Sequence, residues 1–210
     1  MSFFAQRSLD KKKARSELKD FGKLLGEKGQ GDLGEAGDVL PFFTASEQLC
    51  VLMGLYNFKM SLRDVGIARE FSIFGDHYAD LVVGSQASSQ YCFFEFEDAK
   101  STSIFRSSAK QTSEWSSRFE HGYSQLIDWI LWIENNQGNT AYKTRFGSDF
   151  IDYNMILVIG RDRDLVRPDL RERFHWRSES VVVASKKMHC ITYDQLHQDL
   201  ETWLNVLSGK

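Results

Sequence analysis

Tyr91-Cys-Phe-Phe-Glu-Phe-Glu97 is an almost wholly aromatic run that ends in two carboxylates one residue apart. Aromatic side chains suit a pleated, half-buried backbone, so the run reads as a strand. A turn-like segment, GSQASS (84–89), separates it from a second run, Ala79-Asp-Leu-Val-Val83. Side chains alternate along a strand with period two, which puts Glu95 and Glu97 on one face. If the two strands are neighbours, Asp80 can meet Glu95. A charge within a strand is costly to bury unless something compensates it. Converging carboxylates repel one another, and a hard divalent cation relieves that repulsion. Mg²⁺ would take oxygen ligands from Asp80, Glu95 and the backbone carbonyl of Phe96 and keep several waters. The spacing alone is also compatible with ordinary strand-end acids, each paired with an arginine or lysine.

Outward from this pair, the chain alternates helical and strand patterns. Phe119, Tyr123, Leu126, Ile127, Ile130 and Ile133 carry a helical period and predict a long helix over 117–135. The apolar run Asn154–Gly160 has strand length and suits a sheet covered on both faces. Residues 161–180 predict a short helix, 180–184 and 188–192 two strands, and 193–207 a final helix. Upstream, Thr44 or Ser46 can cap a helix that runs to about Asn57, with Leu49, Leu52, Met53 and Tyr56 on one face. A less regular stretch leads from there to Ala79. The order indicates an α/β fold, a mixed central sheet flanked by helices. Residues 1–40 read as a polar N-terminal arm plus a glycine-rich linker (GQGDLGEAG, 29–37), and 41–210 as the main domain. The lysines between 11 and 28 read as a solvated arm, with contact to nucleic acid or a second subunit as the alternative.

Composition closes several doors. With 210 residues, 42% hydrophobic and 13% aromatic, the chain has enough apolar mass for a core. A net charge of −3 argues neither for nor against nucleic acid, because a local basic patch matters more than the total. Cys50, Cys92 and Cys190 are odd in number and lack metal-ligand spacing, so they read as buried apolar residues in a reducing compartment. No apolar stretch approaches the ~20 residues of a membrane span, and no secretion signal opens the chain. A cytoplasmic protein is expected. The pattern GxxxxGK[ST] is missing, so no nucleotide cofactor is expected. The arginine-rich segment 161–187 is interspersed with acids and reads either as a salt-bridged helix or as a phosphate-contacting surface.

Four stretches carry a resemblance: FFEFEDAKSTSIF (93–105), RFEHGYSQLIDWILWI (118–133), YNMILVIGRD (153–162) and SKKMHCITYDQL (185–196). In sequence and order they resemble the Shedu family of anti-phage defence proteins, in the SduA C-terminal domain. Asp80…Glu95-Phe-Glu97 likewise resembles the signature of the PD-(D/E)XK nuclease superfamily. The resemblance implies a restriction-endonuclease-like core and a metal-dependent DNA endonuclease that uses Mg²⁺ or Mn²⁺ and assembles as a homo-oligomer. It makes Asp80 and Glu95 the metal ligands, and Gln125 a helix residue beside the site. Glu47 matches an acid on the first helix. The chain departs from the signature at Glu97, where lysine is the commonest residue. A carboxylate there can bind a second metal or act as general base, and Lys100 is a candidate substitute for the missing lysine. The alternative is a non-catalytic module that keeps the nuclease fold and binds DNA or a partner protein.

Overall fold

The computed structural model describes residues 3–27, 32–107 and 112–209. In chain order the elements are β1 (Ala5–Arg7), α1 (Lys11–Glu27), a π-helical turn (Glu35–Val39), α2 (Leu40–Ala45), α3 (Glu47–Met53), β2 (Val65–Ser72), β3 (Tyr78–Ser85) and β4 (Gln90–Phe96). Then come β5 (Phe105–Arg106), β6 (Glu114–Trp115), α4 (Ser117–Asn136), α5 (Thr140–Phe146), β7 (Asp152–Val158), α6 (Pro168–Ser180), β8 (Val182–Val183), β9 (Lys186–Ile191) and α7 (Tyr193–Leu207). Among the described residues one seven-stranded sheet runs in the order β1-β2-β3-β4-β7-β9-β8. Strands β4, β7 and β9 are mutually parallel, and the other pairs are antiparallel. The expected α/β architecture, a mixed sheet flanked by helices, is the one observed.

The alternation of β4 feeds two apolar layers. Tyr91 and Phe93 point to the side covered by α4, α5 and α6, with Trp129, Tyr142, Phe146 and Phe174. Cys92, Phe94 and Phe96 point to the side covered by α1, α3 and α7, with Phe21, Leu49, Leu196 and Leu200. A parallel strand covered on both faces needs apolar residues at every position, which accounts for the unbroken aromatic run. Trp129 sits fully buried on the inner face of α4. Replacing it with alanine should leave a cavity and cost about 3–5 kcal/mol, read from urea denaturation midpoints.

Helix termini follow local chemistry. The Ser116 side chain accepts from the Phe119 N–H to cap α4, and Thr192 accepts from Gln195 to cap α7. The start of α3 is different. Ser46 stands at the capping position but makes no side-chain cap. Glu17 of α1 reaches across instead and accepts from the Gln48 and Leu49 N–H groups, both at 2.9 Å.

This contact overturns the reading of the N-terminal segment as a solvated arm. Ala14, Leu18, Phe21 and Leu25 of α1 are buried against α3 and α7. The exposed lysines occupy the other face of an amphipathic helix. Of the expected linker, residues 29–31 lie outside the described residues. Leu33 is fully buried and bridges to Ala99, so the remainder packs onto the domain. Strand β2 and helix α5 are among the elements that the sequence did not signal. Strand β2 carries Gly66, Arg69 and Glu70, which break its alternation, yet it pairs with β3 from Gly66 to Ser72, interrupted at Glu70, whose φ is 44°. The short α5 is capped by Asn139 and closed by Gly147 at φ 73°. Among the described residues no single helix is long and apolar enough to cross a membrane.

Candidate metal centre

β3 and β4 pair antiparallel as far as Leu81 opposite Phe94, and just beyond that pair Asp80 comes close enough to Glu95 for their charges to interact. The two strands of the sequence expectation are therefore neighbours, and their acids share a face. Asp80 Oδ2 accepts a 2.8 Å hydrogen bond from the Phe96 N–H, which ties the end of β3 to the end of β4. Parallel pairing continues past β4, because the Glu97 N–H donates to the Val158 carbonyl at 2.9 Å. The Tyr193 hydroxyl, at the start of α7, donates to the Glu97 carbonyl at 2.6 Å. The strand end carrying the acids is thus held from both sides.

Glu95 and Glu97 face α4 and are 7% and 1% exposed, so both are removed from bulk water. Gln125 of α4 lies beside the Glu95 carboxylate and favours its charged form. One turn earlier, α4 has a glycine. A Cβ at Gly122 would stand 2.7 Å from Leu157 Cδ1 and 3.1 Å from Glu97 Cγ, so any larger residue would push the helix off the strand. One turn earlier again, Arg118 Nη1 lies 3.0 Å from Glu97 Oε2 and 3.1 Å from Glu35 Oε2. Its Nε lies 3.9 Å from Asp98.

Charge is unbalanced here. Burial is the main reason the Asp80 and Glu95 carboxyls are pushed above their ordinary range, and the mutual repulsion of the pair adds to the shift at Glu95. The Phe96 N–H at Asp80 and Gln125 at Glu95 oppose the shifts. Burial also pushes Glu97 up to about 8, against the lowering influence of Arg118. Among the described residues neither Asp80 nor Glu95 forms an ion pair, whereas Glu97 has Arg118. Two buried oxygens, Gln125 Oε1 and Glu97 Oε2, accept no hydrogen bond. Arg118 approaches the latter as a charge, without hydrogen-bond alignment.

Among the described residues no group of three or more His, Cys, Asp or Glu side chains closes around one metal position. A two-carboxylate site completed by amide, backbone and water oxygens is a different arrangement, and the donors suit it. All are hard oxygens, they carry excess negative charge, and one amide oxygen lacks a donor. Hard divalent cations take such sets, so the residues present fit Mg²⁺ or Mn²⁺. A cavity of about 270 Å³ opens on Asp80 beside Phe43, Arg69, Glu70 and Phe96. A larger one, about 520 Å³, lies between α6 and α7 and does not include the acids.

Not every expected residue joins. Glu47 lies in the first turn of α3 and forms a two-pronged pair with Arg7, at 2.8 and 2.9 Å. It takes no part in the cluster, and Glu47→Ala should leave Mn²⁺ affinity, measured by titration calorimetry, within about twofold of the parent. Lys100 pairs with Asp98 at 2.8 Å on the rim and does not reach Glu95. The segment 161–187 spends its arginines internally, with Arg161 on Asp194 and Arg177 on Glu120, so the salt-bridged reading holds. Spacing missed Glu35 and Arg118. Glu35 begins the π-helical turn inside a stretch that reads as linker, and 83 residues separate it from its partner.

No curated protein matches the chain. A family described as Shedu protein SduA, C-terminal, matches residues 35–197. The match spans Glu35, Asp80, Glu95, Glu97, Arg118 and Gln125 and leaves out α1. With most of its length inside that match, the chain belongs to the Shedu SduA C-terminal family.

Proposed function

We propose that the chain is a divalent-cation-dependent endonuclease that hydrolyses phosphodiester bonds in DNA. Membership of the Shedu family supports a role in anti-phage defence. The observation that carries the nuclease reading is the approach of half-buried Asp80 to buried Glu95 with, among the described residues, no basic partner for either. Asp80, Glu95 and the Phe96 carbonyl would hold Mg²⁺ or Mn²⁺, with Glu97 at a second position. When bound, the cation supplies positive charge where negative charge gathers on the phosphate. The chain does the rest. The Phe96 N–H orients Asp80. Gln125 orients Glu95. Glu97 shares the face of Glu95 and is placed to accept a proton from the attacking water. The arrangement resembles that of PD-(D/E)XK nucleases with a carboxylate at the lysine position. Assembly as a homo-oligomer is part of the same proposal.

Supercoiled plasmid incubated with Mg²⁺, with Mn²⁺ or with EDTA tests the reading. Nicked or linear product should form only with metal. No product under any condition, together with no heat on titration of Mn²⁺, would leave the non-catalytic binding module in its place.

A further inference from the structure

A cluster of three carboxylates, Glu95 and Glu97 buried and Asp80 half-buried, repels the anion that the proposed reaction would cut. Asp80 and Glu97 add to the negative charge felt at Glu95, and Glu35 and Asp98 add to that felt at Glu97. A phosphodiester brought here meets like charge at short range. Near Asp80, Arg69 lines the cavity and donates to the Phe43 and Thr44 carbonyls. Lys100 is spent on Asp98 at the rim. Among the described residues, Arg118 is the one cation that contacts both Glu35 and Glu97.

Its hydrogen-bonding edge is only half used. Nη1 is shared between Glu97 and Glu35, and Nε stands 3.9 Å from Asp98. Nη2 donates no hydrogen bond among the described residues, and the side chain is 43% exposed. A guanidinium pinned through one nitrogen, with the other open, is oriented before any ligand arrives. Its planar fork matches phosphate oxygens better than an ammonium does. The close approach of α4 at Gly122 sets the distance between this arginine and the strand end. Arg118 also lies in the first turn of a twenty-residue helix, where the backbone dipole favours anions.

We propose that Arg118 binds the phosphate of the nucleic-acid strand presented to the acidic cluster, and so supplies from α4 the positive charge that position 97 of the strand lacks. Glu97 and Glu35 then have a positioning role toward the guanidinium. The inference rests on the nuclease reading of the site, but it concerns binding and can be measured without cutting.

The measurement is fluorescence anisotropy of a labelled DNA duplex in Ca²⁺, repeated across a series of salt concentrations. Arg118→Met should weaken binding about tenfold. It should also flatten the slope of log affinity against log salt by about 0.9, the signature of one lost phosphate contact. Arg118→Lys should keep the slope and lose part of the affinity. Because Arg118→Met strands a buried carboxylate, the double variant Arg118→Met/Glu97→Lys is needed. It moves the cation back to the strand and should restore the slope. An unchanged slope in Arg118→Met overturns the proposal, as does a double variant that folds but binds no better than the single one. Failure of the nuclease reading looks different. Then the parent cleaves nothing in Mn²⁺, while the slope still falls in Arg118→Met.

Discussion

Glu95→Ala is expected to reduce metal-dependent plasmid cleavage by about 10²–10³-fold, on the scale of removing one preorganised charge-stabilising group from an active site. Glu95 is buried at the strand end, lies beside Gln125 and interacts with Asp80 at the end of the β3–β4 pair. Alanine removes a metal oxygen and relieves the repulsion on Asp80, so the fold should be kept or strengthened while activity falls. That opposition separates a site residue from a structural one. The decisive readings are the cleavage rate and the denaturation midpoint of the same variant. A variant that cuts at the parental rate would remove Glu95 from the chemistry. One that both unfolds and loses activity would point to a packing role.

A second large effect concerns pH. In the metal-free protein the carboxyls of Asp80, Glu95 and Glu97 are all raised, chiefly by burial. The folded state then keeps protons that the unfolded chain has already released. Stability changes with pH in proportion to protons bound unfolded minus protons bound folded, and that difference is negative here. Stability is fully present below the ordinary carboxylate range and is lost as pH rises. For Glu97 the window runs from its unperturbed 4.5 to about 8. The loss should be on the order of 3 kcal/mol between pH 5 and 9, a fall in Tm of roughly 10 °C for a domain of this size. Mn²⁺ should reverse much of it, and more so at high pH, because the cation competes with those protons. Glu97→Gln should flatten the profile. A Tm that stays level or rises over this range in the metal-free protein would contradict the burial of the acids.

Much of the fold was legible because its signals are local. The terminal helix over 193–207 was read at its full length, and its Thr192 cap is likewise a contact within a few residues. Strands β3, β4 and β7 were found to within about two residues, because fully covered strands need unbroken apolar runs. Asp80 and Glu95 were legible for a related reason: acids within such runs are costly and so stand out. Strand β2 was not, since its stability comes from pairing with β3 and its own alternation is broken at Arg69 and Glu70.

The amino-acid sequence by itself determined the alternation of β4, and with it the face that Glu95 and Glu97 share. It also determined the helical periods that cover the sheet. Tertiary structure alone decided which acid of the N-terminal half reaches the site. Glu47, well placed on a helix, is taken by Arg7, while Glu35 meets Arg118 at the mouth of the cluster. It also decided that α1 caps α3 through Glu17 and does not trail in solvent. The physical reason is range: backbone periodicity is fixed by each residue's immediate neighbours, whereas an ion pair across 83 residues exists only once packing has brought its two side chains together.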